Sequence, residues 1–425
     1  MSAPSADVTL PRLLRGSGGG GLASLERHVD VHGPLPALPA RRVIDAVEAA
    51  GLRGRGGSAF PAAVKQRAVR AARGRPVVVA NGCESEPLSR KDATLLVEAP
   101  HLVLDGALLA ARAVGADEVI VAVEEPAATA RRSMEHAIAQ RRGDASIGFS
   151  VRTAPRHFLS GQETALVAQL SGGPAKPTFI PPRPTERGVL RRPTLVHNVE
   201  TLAHIALIAR HGPDWFRALG TSTESGSTLV TLVGAVGTPG VFEIELGTPL
   251  RTLIAAAGGS DADVGGLLIG GYFGSWLAGR ERHDVELSNA WLDGHGAALG
   301  CGVICVLPAA ACPVAETVRV AVHLANATAR QCGPCVHGSA AIARTLHGIA
   351  VGSPPPNAFG DLERWVTELP DRGACHLPNG LAHFTASALE VFGEAFDDHA
   401  RRGPCDACAH ASVLSVPAAV GTARR

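Results

Sequence analysis

VVVANGCESEPLSRKD, residues 77–92, is the stretch that decides the fold class. Its first four residues are an unbroken apolar run, too short for a helix, and read as a strand buried on both faces. The run ends in an amide and two carboxylates, Asn81, Glu84 and Glu86, and Pro87 then breaks the pattern. Ligands of α/β sheets sit at the carboxyl ends of strands, where such groups can hold ring nitrogens and ribose hydroxyls. A polar surface turn has the same composition, so the segment is ambiguous by itself.

The neighbours supply the layer. Upstream, Val43, Val47 and Ala50 share one face of a helix over 39–50 that stops at Gly51. A second helix follows Pro61. Downstream come a long helical stretch over about 89–114, a strand DEVIVAVEE, a helix over 126–141 and a strand over 147–152. Strand and helix in alternation predict a largely parallel sheet. FLSGQETALVAQLSGG reads as a loop entering a helix, AKPTFIPPRPTERG as irregular, and RRPTLVHNVETLAHIALIARHG as a capped helix. Near residue 220 the pattern changes to two β runs joined by Gly-Thr-Pro-Gly, a short helix and further strands, a small β-grasp-like unit. From Pro313 onward the periodicity is helical and predicts a bundle of three or four helices.

Composition bounds the rest. At 425 residues the chain needs more than one core. With 46% apolar residues, 19% charged and a net charge of +1, it has no pull toward nucleic acid. No apolar run reaches about 18 residues, so no direct membrane insertion is expected. The N-terminus lacks signal-peptide order and reads as a flexible lead-in, with Gly18 to Gly21 as a linker. Nine cysteines, an odd count without a secretory leader, imply a reducing cytoplasm and thiols free or on metal. Only Lys65, Lys91 and Lys176 are lysines among 40 basic Lys and Arg residues. Retention of so few suggests places where a slim point charge is needed.

GLRGRGGSAFP, residues 51–61, is a glycine-rich loop opening a helix, a place where backbone N–H groups and the helix dipole favour a phosphate. It lacks the spacing of a Walker loop or of the dinucleotide fingerprint. RQCGPCVHG, residues 330–338, holds a Cys-x-x-Cys pair. A thioredoxin pair follows a strand; this one follows an amphipathic helix, so metal or cluster ligation is the better reading. Zinc on Cys332, Cys335, Cys405 and Cys408 is one possibility, though a gap of about 70 residues exceeds that of a zinc ribbon. Cys301, Cys305 and Cys312 sit in an apolar run and read as core packing. His295, His323, His347 and His383 have no motif around them and read as surface or cap residues.

Five segments occur in one order: GLRGRGGSAFP with Lys65, NGCESEPLSRKD, SGQETALVAQL, AKPTF and RPTLVHNVET. Together they resemble the NADH-oxidising FMN and iron–sulfur flavoprotein subunit of respiratory complex I. Its relatives include diaphorase subunits of NAD-linked hydrogenases and formate dehydrogenases. The resemblance covers roughly residues 40 to 400, and all three lysines fall inside it. It implies a multi-domain α/β chain: a flexible segment 1–30, an FMN/NADH-binding α/β domain 31–218, a soluble-ligand-binding β-grasp domain 219–311, a helical iron–sulfur domain 312–402 and a cysteine-containing tail 403–425.

The implied reaction is hydride transfer from NADH to FMN, then single electrons through a 4Fe–4S cluster to a ferredoxin-like or thioredoxin-fold partner. The cofactors do the chemistry, and no side-chain nucleophile or general base is expected. By motif, Gly54, Gly56, Gly57 and Lys65 would line the FMN phosphate and ring, with Asn81, Glu84, Gly161, Asn198 and Thr201 completing the flavin site. Phe60 would stack near the nicotinamide nucleotide, Glu86 would bind its ribose, Glu163 would face the nicotinamide, and Lys176 and Phe179 would contact the adenosine half.

The pattern also breaks. Cys83 stands where the family has Asp, Ala68 where a second aromatic would sandwich adenine, His197 where it has Asn, and Gln162 where it has a first Glu. Cys332, Cys335 and Cys375 match the second, third and fourth cluster ligands, but the first falls on Ala329. A cluster of this type normally takes four thiolates, and Cys405 or Cys408 is expected to fold back and supply the missing one. Two further readings stand beside the enzyme: an electron-transfer adaptor that has lost NADH binding, and a zinc-stapled relative with no redox role.

Overall fold

The computed structural model describes residues 9–17, 23–141 and 147–417, so the expected linker at Gly18 to Gly21 lies outside the described residues. Helices α1 (Leu25–His32), α2 (Ala40–Ala49) and α3 (Ala62–Ala71) precede strand β1 (Val77–Gly82). Then come α4 (Lys91–Glu98), α5 (Pro100–Val114), β2 (Glu118–Glu124), α6 (Ala128–Gln140), β3 (Gly148–Ala154), α7 (Glu163–Leu170) and α8 (Pro184–Arg187). Strand β4 (Thr194–Asn198), α9 (Val199–His211) and α10 (Pro213–Arg217) close this layer. The four strands pair in the order β3-β2-β1-β4, all parallel.

Two expectations need correction. The single helix over about 89–114 is two helices bent by 95°, because Pro100 has no N–H to continue the ladder and disfavours α geometry at Ala99. RPTLVHN is not helical: Thr194 to Asn198 pair with β1, and only then does Asn198 cap α9. The flexible lead-in is also partly fixed. Leu13 is fully buried, and the amides of Arg12 and Leu13 each donate to Glu243 Oε2 at 2.8 Å.

The second sheet contains β5 (Ser227–Gly234), β6 (Gly240–Glu245), β7 (Val264–Ile269), β8 (Ser275–Ala278) and β9 (Val303–Pro308), in the mixed order β6-β5-β9-β7-β8. Helices α11 (Leu250–Ala256) and α12 (Asn289–Asp293) accompany it. The bundle is α13 (Pro313–Asn326), α14 (Ala340–Ala350), α15 (Ala358–Glu368) and α16 (Leu377–Arg402). It packs on the second sheet through Trp276, whose ring lies 5.2 Å from that of Phe392 and whose amide donates to Ser387 Oγ at 3.0 Å. Among the described residues no single helix is long and apolar enough to cross a membrane.

Candidate functional site

The carboxyl ends of β1 and β4, the loop before α3 and the turn before α7 meet in one crevice. Asn81 Nδ2 donates to Gly161 O at 2.9 Å. A Cβ on Gly161 would stand 2.5 Å from Cys83 O, so only glycine lets these two chains touch. Asn198 caps α9 by accepting from Glu200 N at 3.0 Å, and its Nδ2 donates to Asp92 Oδ2 at 2.6 Å. Gly56 lies over Asn198, whose Cβ is 3.4 Å from where a Cβ on Gly56 would sit. On the rim, Lys65 Nζ donates to Glu163 Oε1 at 2.9 Å and to Val196 O at 3.2 Å. Asn81 thus meets Gly161, Gly56 meets Asn198 and Lys65 meets Glu163, while Gly54 lies against the Phe60 backbone and Gly57 against Gly300 and Cys301.

Other predicted residues have different work. Glu84 accepts from the amides of Asp92 and Ala93 at 3.0 and 3.1 Å and so caps α4. Thr201 Oγ1 accepts from Arg55 N at 2.9 Å and fixes the glycine loop. Gln162, read above as a lost Glu, caps α7 by accepting from Ala165 N at 2.9 Å. Phe60 and Phe179 are 44% and 64% exposed, and Lys176 is near the latter in sequence.

Glu86 departs most from expectation. Its carboxylate does not face the crevice but accepts from the amides of Tyr272, at 2.9 Å, and Leu88, at 3.4 Å. Burial pushes this carboxyl up to about 8.

Lys91 is likewise no ligand. Its Nζ lies 2.8 Å from both Asp92 Oδ1 and Glu200 Oε2, all three residues being buried. Burial alone would raise the Glu200 carboxyl, but Lys91, His204 and Arg55 overturn this and hold it below the ordinary range. Glu200 Oε1 also accepts from Thr228 Oγ1 and Leu229 N at 2.9 Å, which ties the parallel sheet to β5.

These residues fit a bound flavin on the open crevice. Three buried polar atoms, Glu124 Oε1 at the end of β2, Ser160 Oγ before Gly161 and His197 Nε2 on β4, lack a partner among the described residues. Burial and Lys65 lower His197 to about 3, so it is neutral at physiological pH. The small cavity under the glycine loop, about 20 Å³ between Arg55, Lys91 and Gly300, has room for little more than a water. A larger hollow of about 510 Å³ lies at α1 and α5, away from the strand ends.

The cysteines separate into two groups. Cys332 Sγ and Cys335 Sγ are 3.4 Å apart, at the start of a π-helical turn over Pro334–Ser339. The 373–375 loop closes on them: a Cβ on Gly373 would stand 3.7 Å from the Cys332 sulfur, and Cys375 is buried beside Ala329. Ala329 is buried in the same small cluster as Cys375, Leu159 and Leu377. Three thiols are gathered here, and Ala329, at the position of the family motif's first cysteine, offers only carbon.

Cys405 and Cys408 do not complete it. They lie beside Cys312 and His399, and the four ligand atoms fall within 4.8 Å of one another. Cys375 precedes the first turn of α16, whereas His399 is in its last turn, beyond a kink at Phe392. Cys312, read as core packing, belongs to this second group. Two signals could have revealed it: His399 six residues ahead of a Cys-x-x-Cys, and a cysteine directly before the Pro that opens α13.

One segment joins the crevice to the first group. Leu159 packs with Ala329 and Cys375, while Gly161, two residues on, accepts from Asn81.

Comparison with known proteins agrees with this layout. Residues 47–207 match the Nuo51 FMN-binding domain, residues 229–265 the SLBB domain, and residues 302–399 the NADH-ubiquinone oxidoreductase-F iron–sulfur binding region. The chain is 28% identical over 402 residues to an F-type subunit of the NADH-quinone oxidoreductase of Rhizobium meliloti, covering 91% of this chain and 94% of that one. It is 29% identical to the NAD-reducing hydrogenase HoxS subunit alpha of Cupriavidus necator, covering 85% of this chain and 61% of that one. A crystal structure of an air-oxidized NAD⁺-reducing NiFe-hydrogenase superposes with a TM-score of 0.80 at 28% identity, over 90% of this chain. The chain spans 66% of that hydrogenase chain.

Proposed function

A chain that joins these three regions in this order belongs to the flavoprotein family of the F-type subunits of NADH-quinone oxidoreductase, and from that premise we propose that it oxidises NADH. Bound FMN would accept the hydride and release electrons singly to an iron–sulfur centre. The chain's own residues do the holding. The glycine loop Gly54 to Gly57 and the amino end of α3 present a favourable dipole to the FMN phosphate. Lys65 adds a positive charge, kept in place by Glu163 and the Val196 carbonyl. Asn81, Gly161 and Asn198 form the floor. Phe60 and Phe179 offer exposed aromatic faces to the nicotinamide nucleotide, with Lys176 near its charged part. Glu84 and Thr201 act through α4 and the loop rather than by contact. Glu86, already bonded to Tyr272, is left out of the ribose site.

The observation that carries this reading is the Leu159–Gly161 segment. Two residues span at most about 7 Å, so the flavin crevice and the Cys332, Cys335 and Cys375 site are close neighbours. Electrons would leave through these cysteines to a ferredoxin-like or thioredoxin-fold iron–sulfur protein, in keeping with relatives named as subunits of larger enzymes. We place the FMN domain at 31–218, the β-grasp domain at 219–311, the iron–sulfur bundle at 312–402 and the tail from 403. Any membrane association would come through the partner.

Anaerobic titration with NADH tests the proposal. Bleaching of the flavin absorbance at about one NADH per FMN is expected. A flavin that NADH leaves oxidised, while dithionite reduces it, would overturn the enzyme and favour the adaptor.

A further inference from the structure

We propose that Cys312, His399, Cys405 and Cys408 bind one structural zinc ion that staples the C-terminal tail to the helical bundle. The site lies at the far end of α16 from the three-cysteine centre, and its two tail ligands lie beyond the matched iron–sulfur region, which ends at residue 399. It does not depend on the flavin reading.

Geometry selects the metal. Cys405 Sγ is 3.7 Å from Cys408 Sγ, which is 3.4 Å from Cys312 Sγ. His399 Nε2 is 3.5 Å from Cys312 Sγ and 3.9 Å from Cys408 Sγ. A tetrahedral zinc with Zn–S of about 2.3 Å requires sulfurs about 3.8 Å apart. Three thiolates and one imidazole are a common closed donor set for structural zinc.

The surroundings orient the donors. His399 Nδ1 lies 3.1 Å from Ala350 O. Donation there commits Nδ1 to the proton and leaves the Nε2 lone pair for the metal, the usual support of a ligating histidine. Cys312 Sγ accepts from Ala315 N at 3.3 Å at the start of α13, where the helix dipole favours a thiolate. Gly403, at φ +82°, ends α16 and reverses the chain, and Cys408 N donates to Cys405 O at 3.0 Å to close the turn. Ligands from two helices and the returning tail therefore converge without further movement.

The staple has something to hold. Beyond Cys408 the amides of Val413 and Leu414 donate to the two carboxylate oxygens of Glu316, at 3.1 and 2.9 Å, and Leu414 is fully buried. Tyr272 Oη donates to Ser415 O at 2.6 Å, and the amide of the same tyrosine holds Glu86. The ion thus fixes a strap that ends on Tyr272 of the second-sheet domain, whose amide in turn holds Glu86.

Elemental analysis of the full-length protein tests this. About one zinc per chain is expected. Cys405→Ser, an exposed position, should weaken zinc affinity roughly tenfold or more in competition with a chelator and leave iron and flavin unchanged. Cobalt(II) added to chelator-treated wild type should give the charge-transfer and intense d–d bands of a tetrahedral thiolate site, weakened in Cys405→Ser. Two results would overturn the proposal: wild type that holds no zinc and takes up no cobalt, or loss of iron in Cys405→Ser. Recovery of Cys405 and Cys408 as a disulfide in freshly reduced, zinc-supplied protein would overturn it as well.

Discussion

At the amino end of α16, Cys375 closes on Cys332 and Cys335, and the remaining position is Ala329, set among Leu159, Ala327 and Leu377. At the carboxyl end, His399 and Cys312 meet Cys405 and Cys408 with every donor atom within 4.8 Å of the rest. Both groups use a Cys-x-x-Cys turn, yet they differ in donor count and in surroundings. The first touches the segment that leads to the flavin crevice. The second is built from bundle and tail, with Cys312 set in the core shared with the second sheet. A short motif thus identifies a ligand pair without saying what the pair serves. The other donors and the neighbouring elements decide that.

The largest expected effect separates the two ends. Cys375→Ser should abolish the iron–sulfur absorbance and acceptor reduction to background, while flavin bleaching by NADH and zinc content persist. Parallel loss of zinc would mean that the two ends are not independent. Next in size is a change far from both metals. Lys91→Met leaves Asp92 buried without a cation and Glu200 with only the more distant Arg55, and should lower stability by about 3–5 kcal/mol in urea unfolding, with metal content per folded chain unchanged. A drop under about 1 kcal/mol would show that the seam between parallel sheet and β5 is held by other contacts.

The strap joins the comparison through Tyr272. Glu86 has a folded-state carboxyl pKa of about 8, above the ordinary 4.5. Raised in the folded state, it favours folding only while protonated, so its contribution is present below about 4.5 and is lost as pH rises toward 8. Stability should therefore fall over that window by up to about 1.4 kcal/mol per pH unit, and Glu86→Gln should flatten the slope. Identical slopes in the two proteins would refute the buried assignment. The smallest effect concerns the missing ligand. Ala329→Cys should raise iron per chain and slow loss of the cluster in air, since it offers a fourth thiolate where only carbon now stands. No change in iron would mean that position 329 does not face the cluster.

Much of this is legible in the residues. The Val77 to Ala80 run, the glycine loop and the alternation of strand and helix point to the parallel layer, and Asn81, Gly161 and Asn198 do meet at its carboxyl edge. Strand β4 is hidden because only five residues separate its start from a strongly periodic helix, and Asn198 serves both. Glu86 misleads because a carboxylate after a strand looks the same whether it faces solvent or, as here, the backbone of a later domain. Lys91 is the buried point charge that so sparing a use of lysine suggests, but its partner Glu200 is distant in sequence and cannot be read from the segment. Cys312 and His399 lie 87 positions apart. Their pairing is a property of α13 packing on α16 and is not written in any spacing.

X-ray absorption at the zinc and iron edges of one anaerobic, full-length sample tests the central claim, that α16 separates a redox centre from a structural one. Zinc bound by three sulfurs at about 2.3 Å and one nitrogen at about 2.0 Å is expected. Iron with sulfur neighbours and iron–iron scattering is expected as well. Iron in the Cys312, His399, Cys405 and Cys408 site, or zinc with no sulfur shell, would contradict it.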